Sequence, residues 1–134
     1  RERLSGNVSA DLEKKILDVM ENCEDWLDPD FSISALSSMV NSNSRYVSAL
    51  INDRFGKNFR AFINEYRVRE AQRRLENKEE YGHLTLQAVG ESVGFKSVSN
   101  FIAAFKKTTG LTPSTYQKIA RSNENTDYQE VKDF

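Results

Sequence analysis

The sequence predicts an all-α fold of seven helices, built as two copies of one unit: a short helix, a tight turn and a longer helix. Three observations point there. Apolar residues recur at three- and four-residue steps, the spacing of a buried helix face. Only two prolines and six glycines punctuate 134 residues, too few for the turns of an all-β chain. Finally, the chain repeats itself. Leu36 and Val40 match Val89 and Val93 at an offset of 53, and Val47, Ile51, Gly56, Phe59 and Phe62 match Phe101, Phe105, Gly110, Pro113 and Tyr116 at 54. The one-residue change falls in the turn, where insertions are tolerated.

Residues 9–27 read as an amphipathic helix with Ser9 as N-cap, carrying Leu12, Ile16, Val19, Met20, Cys23, Trp26 and Leu27 on one face. Pro29 ends it. Cys23 lies on that stripe and reads as a small core residue. A short helix capped by Ser32 or Ser34 follows, then a turn at residues 41–44 and a helix from Ser44 to Phe55 that Gly56 stops. A long helix spans about Asn58 to Asn77, and residues 78–84 read as a loop. In the second copy, Thr85 caps a short helix, Gly94-Phe95-Lys96-Ser97 is the turn, and residues 98–108 form the longer helix before Gly110. Thr112-Pro113 opens a last helix, and the tail from Ser122 reads as frayed.

Charge is unevenly spread. The net is -1, but residues 31–121 hold fourteen basic and seven acidic side chains, between ends that balance at -5 and -3. A basic body of this kind matters for the choice of partner. Other classes fall away. The longest apolar run is the five residues Phe101 to Phe105, too short to span a membrane, and no signal peptide is visible. One cysteine and one histidine give neither an internal disulfide nor a four-ligand Cys/His zinc site. No nucleophile–base pair, phosphate-binding glycine loop or metal cluster is present, so no enzyme, metal or cofactor is expected. The chain lacks an initiator Met and reads as a fragment of a longer protein.

Each copy has the helix-turn-helix pattern, with Ser37 and Gly90 at the close-packed small position. The outer faces present Ser44, Arg45, Ser48, Ala49 and Asn52 in one copy, and Val98, Ser99, Asn100 and Ala103 in the other. Small residues let a helix sink into a major groove. Arg and Asn can pair with guanine and adenine edges, and valine can meet a thymine methyl. Lys57, Arg60, Lys96, Ser97, Lys106 and Lys107 are the expected phosphate contacts. The long helix, about 30 Å at 1.5 Å per residue, suits two reading heads one DNA turn apart. Its Arg60, Arg67, Arg69, Arg73 and Arg74 fit, as a group, a backbone-facing or bridging role.

At these residues the stretch 31–119 resembles the DNA-binding domain of the AraC/XylS family of bacterial transcription regulators. The resemblance rests on Val93-Gly94-Phe95, Ser97, Phe101, Phe105-Lys106-Lys107, Gly110, and Thr112-Pro113-Ser114 followed by Tyr116. In the first copy it rests on Gly56, Phe59, Arg67 and Ala71. Ser37 and Gly90 stand where the family commonly has Ala, and Gln117 where Arg often follows the Tyr. The resemblance implies two helix-turn-helix subdomains joined by a long central helix, with recognition helices 44–55 and 98–108 in successive major grooves. It implies double-stranded DNA and RNA polymerase as partners, a cytoplasmic location, and an upstream sensor or effector domain outside this chain. The expected organisation is an acidic helical segment packed on the first subdomain (1–30), a first helix-turn-helix (31–57), a linker helix (58–78), a second helix-turn-helix (85–120) and a frayed acidic tail (121–134). The competing reading, favoured by the acidic ends and a pI near 5.9, is a protein-interaction module on the same fold that has lost DNA binding.

Overall fold

The structure, a computed structural model, describes the backbone of residues 6–132 and the side chains of residues 6–123. Among the described residues there are eight α-helices, one 3-10 turn and no strand. In chain order the helices are α1 (Gly6–Asn22), α2 (Ile33–Met39), α3 (Ser44–Phe55), α4 (Phe59–Glu76), α5 (Lys78–Tyr81), α6 (Leu86–Ser92), α7 (Val98–Thr109) and α8 (Pro113–Lys132). The chain divides into two compact units, with the boundary inside α4 between Tyr66 and Arg67.

In the first unit, α1 packs on α2 and α3. Leu12, Ile16 and Met20 meet Leu36, Val47, Ile51 and Phe62 in one buried cluster. Gly6 is already helical, so Ser9 lies inside α1 rather than capping it. The helix ends at Asn22, five residues short of the expected end, and Asp25–Leu27 form a separate 3-10 turn. Trp26 is the physical reason. Its indole Nε1 donates to the Met20 carbonyl at 3.1 Å and the Cys23 carbonyl at 2.9 Å, occupying acceptors at the helix end. Its ring packs on Tyr66, with centroids 6.0 Å apart. Cys23 is half-buried against this core.

The second unit buries Val68, Ala71, Leu75, Val89, Val93, Phe95, Phe101 and Phe105. A run of aromatic contacts crosses it: Phe95–Phe101 at 5.3 Å, Phe101–Phe105 at 5.8 Å and Phe105–Tyr116 at 5.4 Å between centroids. Each fully buried Phe contributes about 1.5–3 kcal/mol of apolar burial. The stretch expected to be a loop contains α5, because the Asn77 side chain accepts from the Glu80 N–H and places Glu79 and Glu80 in the first turn. Helix α8 runs to Lys132, past the Ser122 where the sequence reads a frayed tail. No Gly or Pro follows Pro113 to stop it. Residues 133 and 134 lie outside the described residues.

The duplication extends to individual hydrogen bonds. Ser32 and Thr85 cap α2 and α6, each accepting from the N–H three residues on. Both helices close with the same 6→1 bond, Ser42 N–H to Ser37 O at 2.9 Å and Phe95 N–H to Gly90 O at 3.0 Å. The preceding residue is left-handed in both, Asn41 at φ 54° and Gly94 at φ 109°. Asn43 and Ser97 then cap α3 and α7, and left-handed Gly56 and Gly110 end them. The offset changes between Ser42/Phe95 and Asn43/Ser97, so Lys96 is the inserted residue.

Candidate nucleic-acid interface

Each candidate reading face is the outer side of the second helix in a pair. On α3, Val47, Leu50 and Ile51 are buried, which turns Arg45, Ala49 and Asn52 outward and leaves Ser44 and Ser48 half-buried. On α7, Phe101, Ala104 and Phe105 are buried, which turns Val98, Ser99, Asn100, Ala103, Lys106 and Lys107 outward. The Asn43 and Ser97 caps fix where each face begins.

The candidate side chains differ in how free they are to meet a ligand. Arg45 makes no side-chain hydrogen bond or ion pair among the described residues. The Asn52 amide is turned back on its own helix, donating to the Ser48 carbonyl at 2.9 Å, so only its oxygen is uncommitted. Ser44 Oγ lies 3.3 Å from Ser37 Oγ, within hydrogen-bond distance, and Ser37 has its own proton on the Ile33 carbonyl. In the second unit the Ser97 hydroxyl caps α7 by accepting from the Asn100 N–H at 3.1 Å. Capping therefore falls to Ser97, and the exposed Asn100 amide is left for other work.

The expected phosphate contacts also divide. Lys96, Ser97, Lys106 and Lys107 are exposed at the two ends of α7, and Arg60 is exposed in the first turn of α4. Lys57 is not presented in the same way, because its ammonium sits 2.5 Å from Glu65 Oε2. The arginines of α4 do not act as one group. Arg67 is buried. Arg73 and Arg74 both bind Glu70, Arg74 also reaches the Ser92 carbonyl at 3.3 Å, and both lie over the Tyr81 ring. Burial opposes ionisation of Glu70, but the two guanidinium hydrogen bonds outweigh it and hold the carboxyl below its ordinary pKa. This clasp fastens the second unit internally.

Tyr116 sits behind α7 and donates its hydroxyl to Glu76 Oε1. Burial, and then the Glu76 carboxylate, push the Tyr116 phenol up to about 12. One exposed residue on the reading face was missed in the sequence. Ile102 is 41% exposed, one turn on from Val98 at 40%. It lies inside the apolar run Phe101–Phe105, which hides its direction; its i+4 spacing from Val98 is the signal that could have placed it outside.

A family model described as a helix-turn-helix domain matches residues 36–119, which takes in both units' helix pairs. The chain belongs to the AraC-type helix-turn-helix family. It is 30% identical over 93 residues to the HTH-type transcriptional regulator YobQ of Bacillus subtilis, covering 69% of this chain and 37% of that protein. It is 23% identical to YtdP of the same organism over 118 residues, 87% of this chain and 15% of that one. The chain thus spans little more than a third of the first relative and less of the second. Among solved structures, it resembles the C-terminal domain of the two-component response regulator YesN of Fusobacterium nucleatum. The TM-score is 0.64 at 30% identity, over 78% of this chain and 96% of that one. The C-terminal domain of AraT, a response regulator from Geobacillus stearothermophilus, shares the fold at TM-score 0.65 and 22% identity, over 88% of each chain. In this AraC-type chain no described helix is long and apolar enough to cross a membrane.

Proposed function

We propose that this chain is the sequence-specific double-stranded DNA-binding part of a bacterial transcription regulator, with α3 and α7 as its reading helices in successive major grooves of one asymmetric site. The observation that carries the reading is the pair of capped second helices in one AraC-type chain, each with an outer face of small and hydrogen-bonding residues. Arg45 reads a guanine edge, Asn100 an adenine edge, and Ser44, Ser48, Ala49, Val98, Ser99 and Ala103 allow close approach. Asn52 contributes its amide oxygen, or its donor once the bond to Ser48 is released. Arg60, Lys96, Ser97, Lys106 and Lys107 hold phosphates, and Lys57 does so only in exchange for Glu65. A sensor or effector segment elsewhere in a longer protein governs the domain, and RNA polymerase is its partner in the bacterial cytoplasm. The family's activity is DNA binding rather than catalysis.

The test is binding of labelled duplex, selected from a random pool, at two salt concentrations. With about six phosphates contacted, affinity falls on the order of a thousandfold between 50 and 200 mM salt. No binding at 50 mM, or a flat response, contradicts the reading and favours a protein-interaction module on this fold.

A further inference from the structure

On α7 the buried side is set by Phe101, Ala104 and Phe105. At about 100° per residue, Ser99, Ala103 and Lys106 run down the middle of the outer face. Val98 and Ile102 flank this line on one side, and Asn100 and Lys107 on the other. The apolar flank is unusual for a solvent-facing edge: both β-branched residues are about two-fifths exposed and stand one above the other. In the first unit, 54 residues earlier, the same two positions are Ser44 and Ser48. The flank is therefore a property of one unit, not of the shared architecture.

What covers it is indicated by the charge around it. Helix α7 carries Lys106 and Lys107 and no acidic residue, and Lys96 stands just before its cap. An apolar edge on a helix whose only charges are lysines suits a polyanion that bears methyl groups, and the thymine C5-methyl is the apolar group in the major groove. We propose that the second unit reads thymine methyl groups through Val98 and Ile102, so that its half of the site requires thymine by shape rather than by hydrogen bond. The first unit, with serines at these positions and Arg45 in the middle of its face, reads hydrogen-bonding edges instead. The proposal rests on the DNA-binding reading and adds a specificity-determining residue, Ile102, to it.

Deoxyuridine differs from thymidine only by this methyl. The experiment takes the selected duplex, confirms binding at 50 mM salt, and replaces its thymines one at a time by deoxyuridine. At one or two positions within the segment protected by the second unit, affinity falls about fourfold for each methyl removed. The variant Val98→Ser/Ile102→Ser copies the flank of the first unit. It binds the thymine and deoxyuridine duplexes equally, and its far-UV circular dichroism spectrum at the binding temperature matches that of the parent, which shows that it is folded. A selected site without thymine in that segment overturns the proposal, as does a deoxyuridine series that binds like the parent. So does a double variant that keeps its preference for thymine, or one that changes self-association in sedimentation and leaves DNA affinity alone. These results leave the DNA-binding reading intact; failure of the parent duplex to bind removes both.

Discussion

The two helix-turn-helix units share their caps and turn hydrogen bonds and differ in how they fill the space between their helices. In the second unit Gly90 faces Phe101, and a Cβ on Gly90 would lie 2.6 Å from the Phe101 ring. In the first unit the same positions hold Ser37 and Val47, both buried. A glycine with a phenylalanine is exchanged for a serine with a valine. Ser37 settles its hydroxyl on the Ile33 carbonyl at 2.6 Å. One backbone arrangement thus admits two distributions of volume across the contact, and each residue is legible only with its partner.

The largest expected effect breaks this complementarity. Gly90→Ala places a methyl where Phe101, wholly buried, cannot withdraw, and costs about 1–3 kcal/mol. Phe101→Val alone also destabilises, by leaving a cavity. The double variant, which approaches the first unit's pattern, is more stable than the sum of the two losses requires. Ser37→Ala costs about 1 kcal/mol, since it removes the hydroxyl's bonds to the Ile33 carbonyl and to the half-buried Ser44 without changing the packing. Thermal melting of the four variants gives the coupling, and strict additivity would show that the two positions do not share the space.

A smaller effect separates capping from reading. Asn43→Ala and Ser97→Ala each cost about 1 kcal/mol, because each removes the acceptor for a first-turn N–H. Asn100→Ala changes stability by less than about 0.5 kcal/mol, as an exposed site without a structural bond should. A melting loss for Asn100→Ala equal to that for Ser97→Ala would return Asn100 to a structural role.

The smallest effect concerns pH. Phe62 in the first unit corresponds to Tyr116 in the second, so only the second has an ionisable group at this place. The Tyr116 pKa rises on folding, from about 10 to about 12. The protonated phenol therefore stabilises the folded form fully below pH 10, and this contribution is lost as pH rises through 12. Tyr116→Phe melts lower than the wild type at pH 8, and the gap closes between pH 10 and 12. A gap that persists at pH 12 would mean that the contact with Glu76 does not depend on the phenolic proton.

Much of the fold was legible because its signals are local. The helix spacing, a serine cap before α2, Thr85 before α6, and Gly56 and Gly110 after α3 and α7 mark these four helices; the caps Asn43 and Ser97 read only as turn residues. The end of α1 was not legible, because Trp26 closes it through carbonyls three and six residues back while lying on the same apolar stripe. The roles of Arg73 and Arg74 were hidden for a related reason. Their partners include Tyr81 and Ser92, which periodicity in α4 cannot anticipate. On the candidate reading faces, spacing turned Arg45, Ala49 and Asn52 outward, but it did not anticipate the half-burial of Ser44 and Ser48 or the exposure of Ile102, and it could not show commitment. The sequence cannot distinguish Asn52, bonded to Ser48, or Lys57, paired with Glu65, from the unpaired Arg45.

The central claim is that the two unequal faces read different parts of one DNA site. It is tested most directly by measuring affinity for a panel of single-base variants of the selected duplex. The panel is run with the wild type, Arg45→Ala, Asn100→Ala and Lys106→Ala. Arg45→Ala relaxes preference in one segment and Asn100→Ala in another, each by about 1–3 kcal/mol at the base concerned. Lys106→Ala weakens all sequences alike and lowers the salt slope by about one. Identical specificity profiles for Arg45→Ala, Asn100→Ala and Lys106→Ala would contradict the account.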